Sequence, residues 1–423
     1  MKNPFALTIF LNALLLCSAH LVASSGTIVE RETSLPLAYD VDVLVAGGSL
    51  AGVEAACAAS DKGASVLVIE SRPYLGYDIC ANQKLWLEPG EKPQTDITRW
   101  IFDGKRQQTP MKVKGLLDRV LLKRNIQFLT IPMRGFRGKG ILNKCISIFG
   151  LATSIGKTLL FLFQNKINFV VCFGGYISLP VGIAAILCRK QLILHEQNAV
   201  MGTSNKLLAP FAKIIFLGTP LATVSQKNTQ LVGNPIKRIN KHQDMVPPKS
   251  DELKIYVTGG SLGSEFINKN IPIALSSLNI PIMIKHQSGL NKSDGVESLY
   301  TGRTSSDIQE FYETPLENIL WSDFVICRAG ALTLAEVTSL SRGCIMIPLP
   351  SAIDNHQLEN AKQIEKLNMG LIYEESASPQ ALREKLINII EKKMHLSWQN
   401  NTNSIDHFQA AERMLSSILQ INK

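Results

Sequence analysis

The residues best suited to chemistry lie between positions 324 and 360. An apolar run, Phe324 to Cys327, reads as a buried strand, and a small-residue turn, Arg328-Ala329-Gly330-Ala331, follows it. A helix is expected to begin near Leu332 and Thr333. Glu336 then falls in its first turn, where exposed N–H groups favour anions and a carboxylate can accept from ribose hydroxyls. A second strand, Cys344 to Leu349, delivers the polar loop Asp354-Asn355-His356-Gln357, followed by Asn360. Loops at strand carboxyl ends are where open α/β sheets hold ligands. The pattern suits a nucleotide diphosphate bearing a sugar, and equally an ordinary βαβ unit with a polar connection.

Two further stretches share this grammar. Leu253 to Val257 is a strand, and Thr258-Gly259-Gly260-Ser261-Leu262-Gly263-Ser264 is a glycine turn opening a helix. Backbone N–H groups of Gly259, Gly260 and Gly263 can cradle a diphosphate there, with the Ser261 hydroxyl as an added donor. Near the amino terminus, DVDVLVA is a strand, Gly47-Gly48-Ser49-Leu50-Ala51-Gly52 a glycine turn, VEAACAASDKG a helix and ASVLVIE a strand ending at Glu70. This is the dinucleotide fingerprint with Ser49 at its second glycine, and Glu70 lies where an acid would hold a ribose. With Gly174 and Gly330, four glycine turns follow apolar runs, so a doubly wound α/β architecture is expected. Lys237, after Gly233-Asn234-Pro235, would either meet a phosphate at a domain hinge or lie in a solvated basic turn.

Two suggestive strings fail. Ile155-Gly156-Lys157-Thr158 lacks the upstream glycine of a Walker A loop, since Leu151 stands there. His195-Glu196 lacks the zincin's second histidine, since Ala199 stands there. No metal is implied.

Length and charge bound the rest. The 423 residues, 45% hydrophobic and 19% charged, suffice for two or three globular domains. The eight cysteines form no C-x-x-C pair, and Cys57, Cys172, Cys188, Cys327 and Cys344 lie in apolar runs, as reduced core cysteines do. No acidic residue occurs between Asp118 and Glu196, whereas eleven basic ones do; the net charge being +9, the remainder of the chain carries 9 − 11 = −2. A basic zone over residues 119–190, mixed with Ile141, Leu142, Ile146 and Phe149, suits an anionic membrane surface better than nucleic acid. Residues 1–25, with Lys2 before an apolar core and small residues, read as a signal-like segment, which conflicts with a cytoplasmic location.

The stretch 38–128, through Glu70-Ser71-Arg72-Pro73-Tyr74-Leu75-Gly76, resembles the front of exported FAD-dependent oxidoreductases. That likeness implies an ADP half on Gly47, Gly48, Gly52 and Glu70. From about residue 129 onward the chain is similar to the MurG family of peptidoglycan glycosyltransferases. The motifs that carry the likeness are IPMRGFRGKG (131–140), FGGYIS (173–178), HEQNAVMGTSNKLLA (195–209), VGNPIK (232–237), VTGGSLGSEFIN (257–268), HQSG (286–289), CRAGALTLAE (327–336) and DNHQLENA (354–361).

The second resemblance implies two Rossmann-like doubly wound domains in the GT-B arrangement. The acceptor and membrane-side remainder would occupy 129–237, a UDP-GlcNAc-binding domain 238–405, and a crossing helix 406–423. It implies transfer of N-acetylglucosamine from UDP-GlcNAc to an undecaprenyl-linked muramoyl-pentapeptide, at the cytoplasmic face of a bacterial inner membrane. The transfer would be inverting and would use no cofactor. Ser261 would face the diphosphate, Tyr312 the uracil, and Ala331, Leu332, Thr333, Leu334, Ala335 and Glu336 the nucleotide. Gln357 would contact the sugar, Asn198 would reach in from the acceptor side, and Lys237 stands where the family has arginine. The family's amino-terminal glycine loop, ending in a histidine taken as the base, is absent here. His195 and Glu196 are the remaining candidates. Three readings follow: the front completes a working transferase, the front binds FAD in an oxidoreductase, or the chain is a non-catalytic fusion that retains UDP-sugar binding.

Overall fold

The computed structural model describes residues 41–47, 50–70, 127–131, 141–222, 228–237, 252–260, 262–312, 315–401 and 405–421. The signal-like segment, Gly48, Ser261 and most of the 131–140 motif lie outside these residues, as does the side chain of Glu70.

In chain order the first half comprises β1 (Val43–Ala46), α1 (Leu50–Asp61), β2 (Val66–Glu70), β3 (Gln127–Thr130), α2 (Ile141–Gln164), β4 (Phe169–Cys172), α3 (Gly175–Leu187), β5 (Gln191–Glu196), α4 (Thr203–Leu208), β6 (Ile214–Leu217) and β7 (Thr229–Leu231). Its strands form one parallel sheet in the order β3-β2-β1-β4-β5-β6-β7. Alternation of side chains along each strand supplies both faces with apolar residues, as a sheet buried on two sides requires. Leu44, Leu67, Val170, Leu192 and Ile215 face the layer containing Leu162 of α2 and Val181 of α3. Val43, Val45, Val66, Val68, Val171 and Ile193 face Val53, Ala56 and Cys57 of α1.

The second half contains β8 (Leu253–Thr258), α5 (Glu265–Ser276), β9 (Ile282–Gln287), β10 (Thr304–Gln309), α6 (Pro315–Trp321), β11 (Phe324–Cys327), α7 (Ala331–Ser339), β12 (Gly343–Met346), α8 (His356–Lys366), β13 (Gly370–Ile372), α9 (Pro379–Glu391) and α10 (Met394–Asn400). Its sheet runs β10-β9-β8-β11-β12-β13, again parallel. Both sheets follow the doubly wound pattern expected from the glycine turns. Each reverses its strand order once, between β1 and β4 and between β8 and β11, and such reversals open the crevices that hold ligands.

The last helix, α11 (Ala410–Ile421), returns to the first half. Met414, Leu415 and Ile418 join Val53, Ala56 and Cys57 in one core, and the Arg413 guanidinium donates to the Val232 carbonyl at 3.0 Å. Cys57, Cys172, Cys327 and Cys344 are buried free thiols, and Cys188 is half-buried. Burial pushes the Cys172 thiol up to about 12. The rejected Gly156-Lys157-Thr158 string lies inside α2, so no phosphate loop forms there.

Candidate functional site

The crevice between β8 and β11 gathers most of the residues singled out in the second half. After β8 the chain turns through Gly259, Gly260 (φ 82°) and Gly263 (φ 63°) before α5, which Ser264 caps by accepting from the Ile267 N–H. A side chain at Gly263 would overlap the Ser288 carbonyl, and one at Gly289 would strike Gly263, so only glycines let the two turns touch. This explains the HQSG motif: it backs the glycine loop. His286 itself is a core residue, with Nδ1 accepting from the Tyr300 hydroxyl (2.9 Å) and Nε2 donating to Asn268 Oδ1 (3.1 Å). Burial holds its pKa down to about 4.

Across the crevice, α7 begins one residue earlier than expected. Gly330 caps it with extended backbone (φ −71°, ψ 135°), and the Leu334 N–H returns to the Gly330 carbonyl at 3.0 Å. Glu336 is therefore in the second turn, not the first. The N–H groups of Ala331, Leu332 and Thr333 have no carbonyl one turn back, as at any helix start. Glu336 is half-buried, and its carboxylate is among the influences that, after burial, raise the Tyr256 hydroxyl pKa. Leu332 packs against the core of the first half. Ala331, Leu334 and Ala335 line a cavity of about 130 Å³ that is also walled by Gln197, Asn234, Asn360 and His407.

Arg328, in the small-residue turn after β11, holds this crevice together. Its Nη2 donates to Ser264 Oγ at 2.6 Å and pairs with the Glu375 carboxylate at 2.5 Å, while Nη1 donates to the Ile347 carbonyl at 3.1 Å. One guanidinium thus ties together the segments that follow four strands, β8, β11, β12 and β13, through a planar fork. Tyr312 N–H donates to Gln287 Oε1 (3.2 Å) and its hydroxyl to the Asp307 carbonyl (2.7 Å). Gln357 Oε1 accepts from the Leu349 N–H at 3.0 Å, which leaves its NH₂ group for other partners.

The facing side is the loop after β5. Glu196 is buried and accepts four hydrogen bonds: Asn198 N and Nδ2 at 3.1 and 3.2 Å on Oε1, Gly202 N and Asn205 Nδ2 both at 2.9 Å on Oε2. His195 is fully enclosed; Nε2 donates to the Gly233 carbonyl at 3.0 Å, and burial holds its pKa down to about 4. Behind it the Asn234 N–H donates to His407 Nδ1 at 2.9 Å. Asn360 of α8 bridges the two sides, accepting from the Ala199 N–H at 2.8 Å and donating to Asn198 Oδ1 at 3.0 Å. Lys237 is exposed. Among the described residues no His/Cys/Asp/Glu group is arranged to hold a metal ion.

At the front unit, Gly47 takes φ 114° and Gly52 is buried in α1. The carboxyl end of β1 is covered by the start of α3: Phe173 N–H donates to the Ala46 carbonyl at 3.1 Å, and Ser178 Oγ stands 3.3 Å from the same oxygen. The first of these bonds continues the parallel ladder between β1 and β4 past Cys172. Gly48, Ser49 and the Glu70 side chain, which a dinucleotide would need, lie outside the described residues.

Comparison with known proteins accords with this geometry. The glycosyltransferase family 28 C-terminal domain matches residues 254–415 and its N-terminal domain residues 110–217, while an FAD dependent oxidoreductase family matches residues 42–99. UDP-N-acetylglucosamine--N-acetylmuramyl-(pentapeptide) pyrophosphoryl-undecaprenol N-acetylglucosamine transferase of Acinetobacter baumannii is 31% identical over 293 residues, 66% of this chain and 80% of that protein. Its counterpart from Neisseria gonorrhoeae is 30% identical over 295 residues, 68% of this chain and 82% of that protein. The crystal structure of Acinetobacter baumannii MurG superposes with a TM-score of 0.66 at 24% identity, covering 90% of this chain and all of that one. A UDP-GlcNAc 2-epimerase from Neisseria meningitidis, bound to UDP-GlcNAc, shares the fold at a TM-score of 0.55 and 12% identity, covering 90% of this chain and all of that one. With two Rossmann-like domains facing a crevice and relatives at this identity, the chain belongs to the MurG family of glycosyltransferases.

Proposed function

We propose that this chain transfers N-acetylglucosamine from UDP-N-acetylglucosamine to an undecaprenyl-diphosphate-linked muramoyl-pentapeptide, by inverting displacement without metal or cofactor. The observation that carries the reading is the pairing of the glycine turn after β8 with the open start of α7 at one switch point, Arg328 fixing both. Backbone N–H groups there, with Ser261, take the diphosphate, and Glu336 takes the ribose hydroxyls. Tyr312 stands by the uracil, Gln357 and Asn198 by the sugar, and Lys237 by the leaving phosphate.

Catalysis is the weaker half. The sequence has no histidine between His20 and His195, so none stands in the turn after β1. Glu196, with four donors on its carboxylate, builds its loop rather than taking the acceptor's proton. A positioned general base contributes about 10²–10⁴-fold, so turnover is expected to be lower by a comparable factor while donor binding is kept.

The acceptor end is lipid, and α2 supplies a surface for it. Phe149, Leu160 and Phe163 are exposed on α2, with Lys157 between them. At helical spacing they share a face that lies on an anionic bilayer. Among the described residues no helix is long and apolar enough to cross a membrane.

Calorimetric titration with UDP and UDP-GlcNAc tests the donor site. Wild type binds both, and Glu336→Ala weakens binding at least tenfold, roughly 1.4 kcal/mol. Equal binding by the two proteins removes the site. The purified protein is expected to be colourless; flavin absorbance would instead support the oxidoreductase reading.

A further inference from the structure

We propose that Asn360 is a positioning residue that clasps the two domains together and sets which face of the Asn198 amide meets the donor sugar. The inference rests on the donor-site reading above and adds a specificity device to it.

The Asn360 side chain is 3% exposed and uses three of its hydrogen-bonding positions. Oδ1 accepts from the Ala199 N–H at 2.8 Å, and Nδ2 donates to Asn198 Oδ1 at 3.0 Å and to the Ala329 carbonyl at 3.2 Å. The first two partners belong to the loop after β5, and the third belongs to the turn that opens α7. The amide has only one acceptable orientation, since a flipped Asn360 would aim its oxygen at two acceptors and its NH₂ at a donor.

That orientation propagates. With Asn198 Oδ1 committed to Asn360, its Nδ2 points to Glu196 Oε1 at 3.2 Å, and Glu196 in turn holds Asn205 Nδ2. Asn205–Glu196–Asn198–Asn360–Ala329 is a relay in which each group's direction is dictated by the next. It starts on α4 of the first half and ends at the nucleotide turn of the second. Asn198 has one Nδ2 hydrogen left outside the relay. It therefore offers the sugar a donor, which selects an oxygen acceptor such as a hydroxyl or an acetamido carbonyl.

Asn360→Ala removes the clasp, and Asn360→Asp keeps its shape while turning its donor into an acceptor. Without any ligand, hydrogen exchange of the segment 197–203 reads the clasp through the Ala199 N–H. Loss of one buried hydrogen bond corresponds to about tenfold faster exchange in Asn360→Ala. A control segment in α9 is expected to keep its wild-type rate. With ligand, both variants are expected to bind UDP as wild type does but to lose the extra affinity that the sugar gives UDP-GlcNAc. Asn198→Ala is expected to lose that same increment, and Asn360→Ala on top of it to add nothing. Unchanged exchange at 197–203 overturns the clasp, and parallel loss of UDP and UDP-GlcNAc binding overturns the specificity role. If the wild type binds neither nucleotide, the donor-site reading falls, and the exchange comparison still decides whether Asn360 joins the domains.

Discussion

Val45 of β1 lies in parallel register opposite Val171 of β4, and it is 2% exposed. The first residue belongs to the stretch that matches flavoproteins and the second to the transferase portion, yet they are neighbours in one sheet. The oxidoreductase-type unit is therefore an integral part of the first sheet. Val45→Asp places an unpaired charge between two buried faces and is expected to abolish the cooperative unfolding of that domain. Met414→Ala, on the helix that covers α1, is expected to cost about 2–5 kcal/mol. Circular dichroism melts check both, and wild-type stability in the two variants would mean that the unit is a passenger.

Arg328 is expected to matter through geometry more than charge. Arg328→Met releases Ser264, Glu375 and the carbonyl after β12 together, and UDP affinity is expected to drop by about tenfold or more. Arg328→Lys recovers little, because an ammonium cannot span three partners as a planar fork does. Calorimetry on both variants separates this from a simple charge effect, in which lysine would restore binding.

The buried histidines give the protein an acid limit. His195, His286 and His407 are each held down to about 4, chiefly by burial, whereas an unfolded histidine titrates near 6.5. Between those values the unfolded chain binds more protons, so stability rises with pH through this window and is lost as pH falls from 6.5 toward 4. Each histidine accounts for up to roughly 3 kcal/mol of the loss. Urea midpoints across pH 4–8 should be flat above about 7 and fall below it, and His286→Gln should shallow the fall.

Membrane docking is checked with vesicles. Phe149→Ser with Phe163→Ser removes two exposed rings from α2 and is expected to lower co-sedimentation with anionic vesicles by about tenfold or more. Donor binding should be unchanged, since neither ring is among the residues that line the cavity beside α7. Equal sedimentation would move the docking surface elsewhere.

The glycine turns were legible in the sequence because their chemistry is in the backbone. Strand, glycines and helix follow one another within about a dozen residues, and the structure finds the turns at Gly47, Gly174, Gly263 and Gly330 at strand ends. Arg328 and Asn360 were not legible as organisers. Ser264 is 64 residues from Arg328 and Asn198 is 162 from Asn360, so nothing in the local pattern announces either contact. Glu336 lies one or two positions further into the helix than the pattern implies, in its second turn, because Gly330 caps the helix with extended backbone and starts it at Ala331. His195 and Glu196 drew attention as titratable neighbours, but their surroundings, an enclosed ring and a carboxylate bound four times, come only from the tertiary fold.

The return of α11 to α1 has a consequence for synthesis. Val53, Ala56 and Cys57 leave the ribosome long before Met414, Leu415 and Ile418, which cover them in the finished protein. At 5–20 residues per second the wait is roughly 20–70 seconds, during which an apolar strip on the first domain stays uncovered. Nascent chains interrupted before residue 410 would keep that strip, which makes them natural clients for chaperones and proteases.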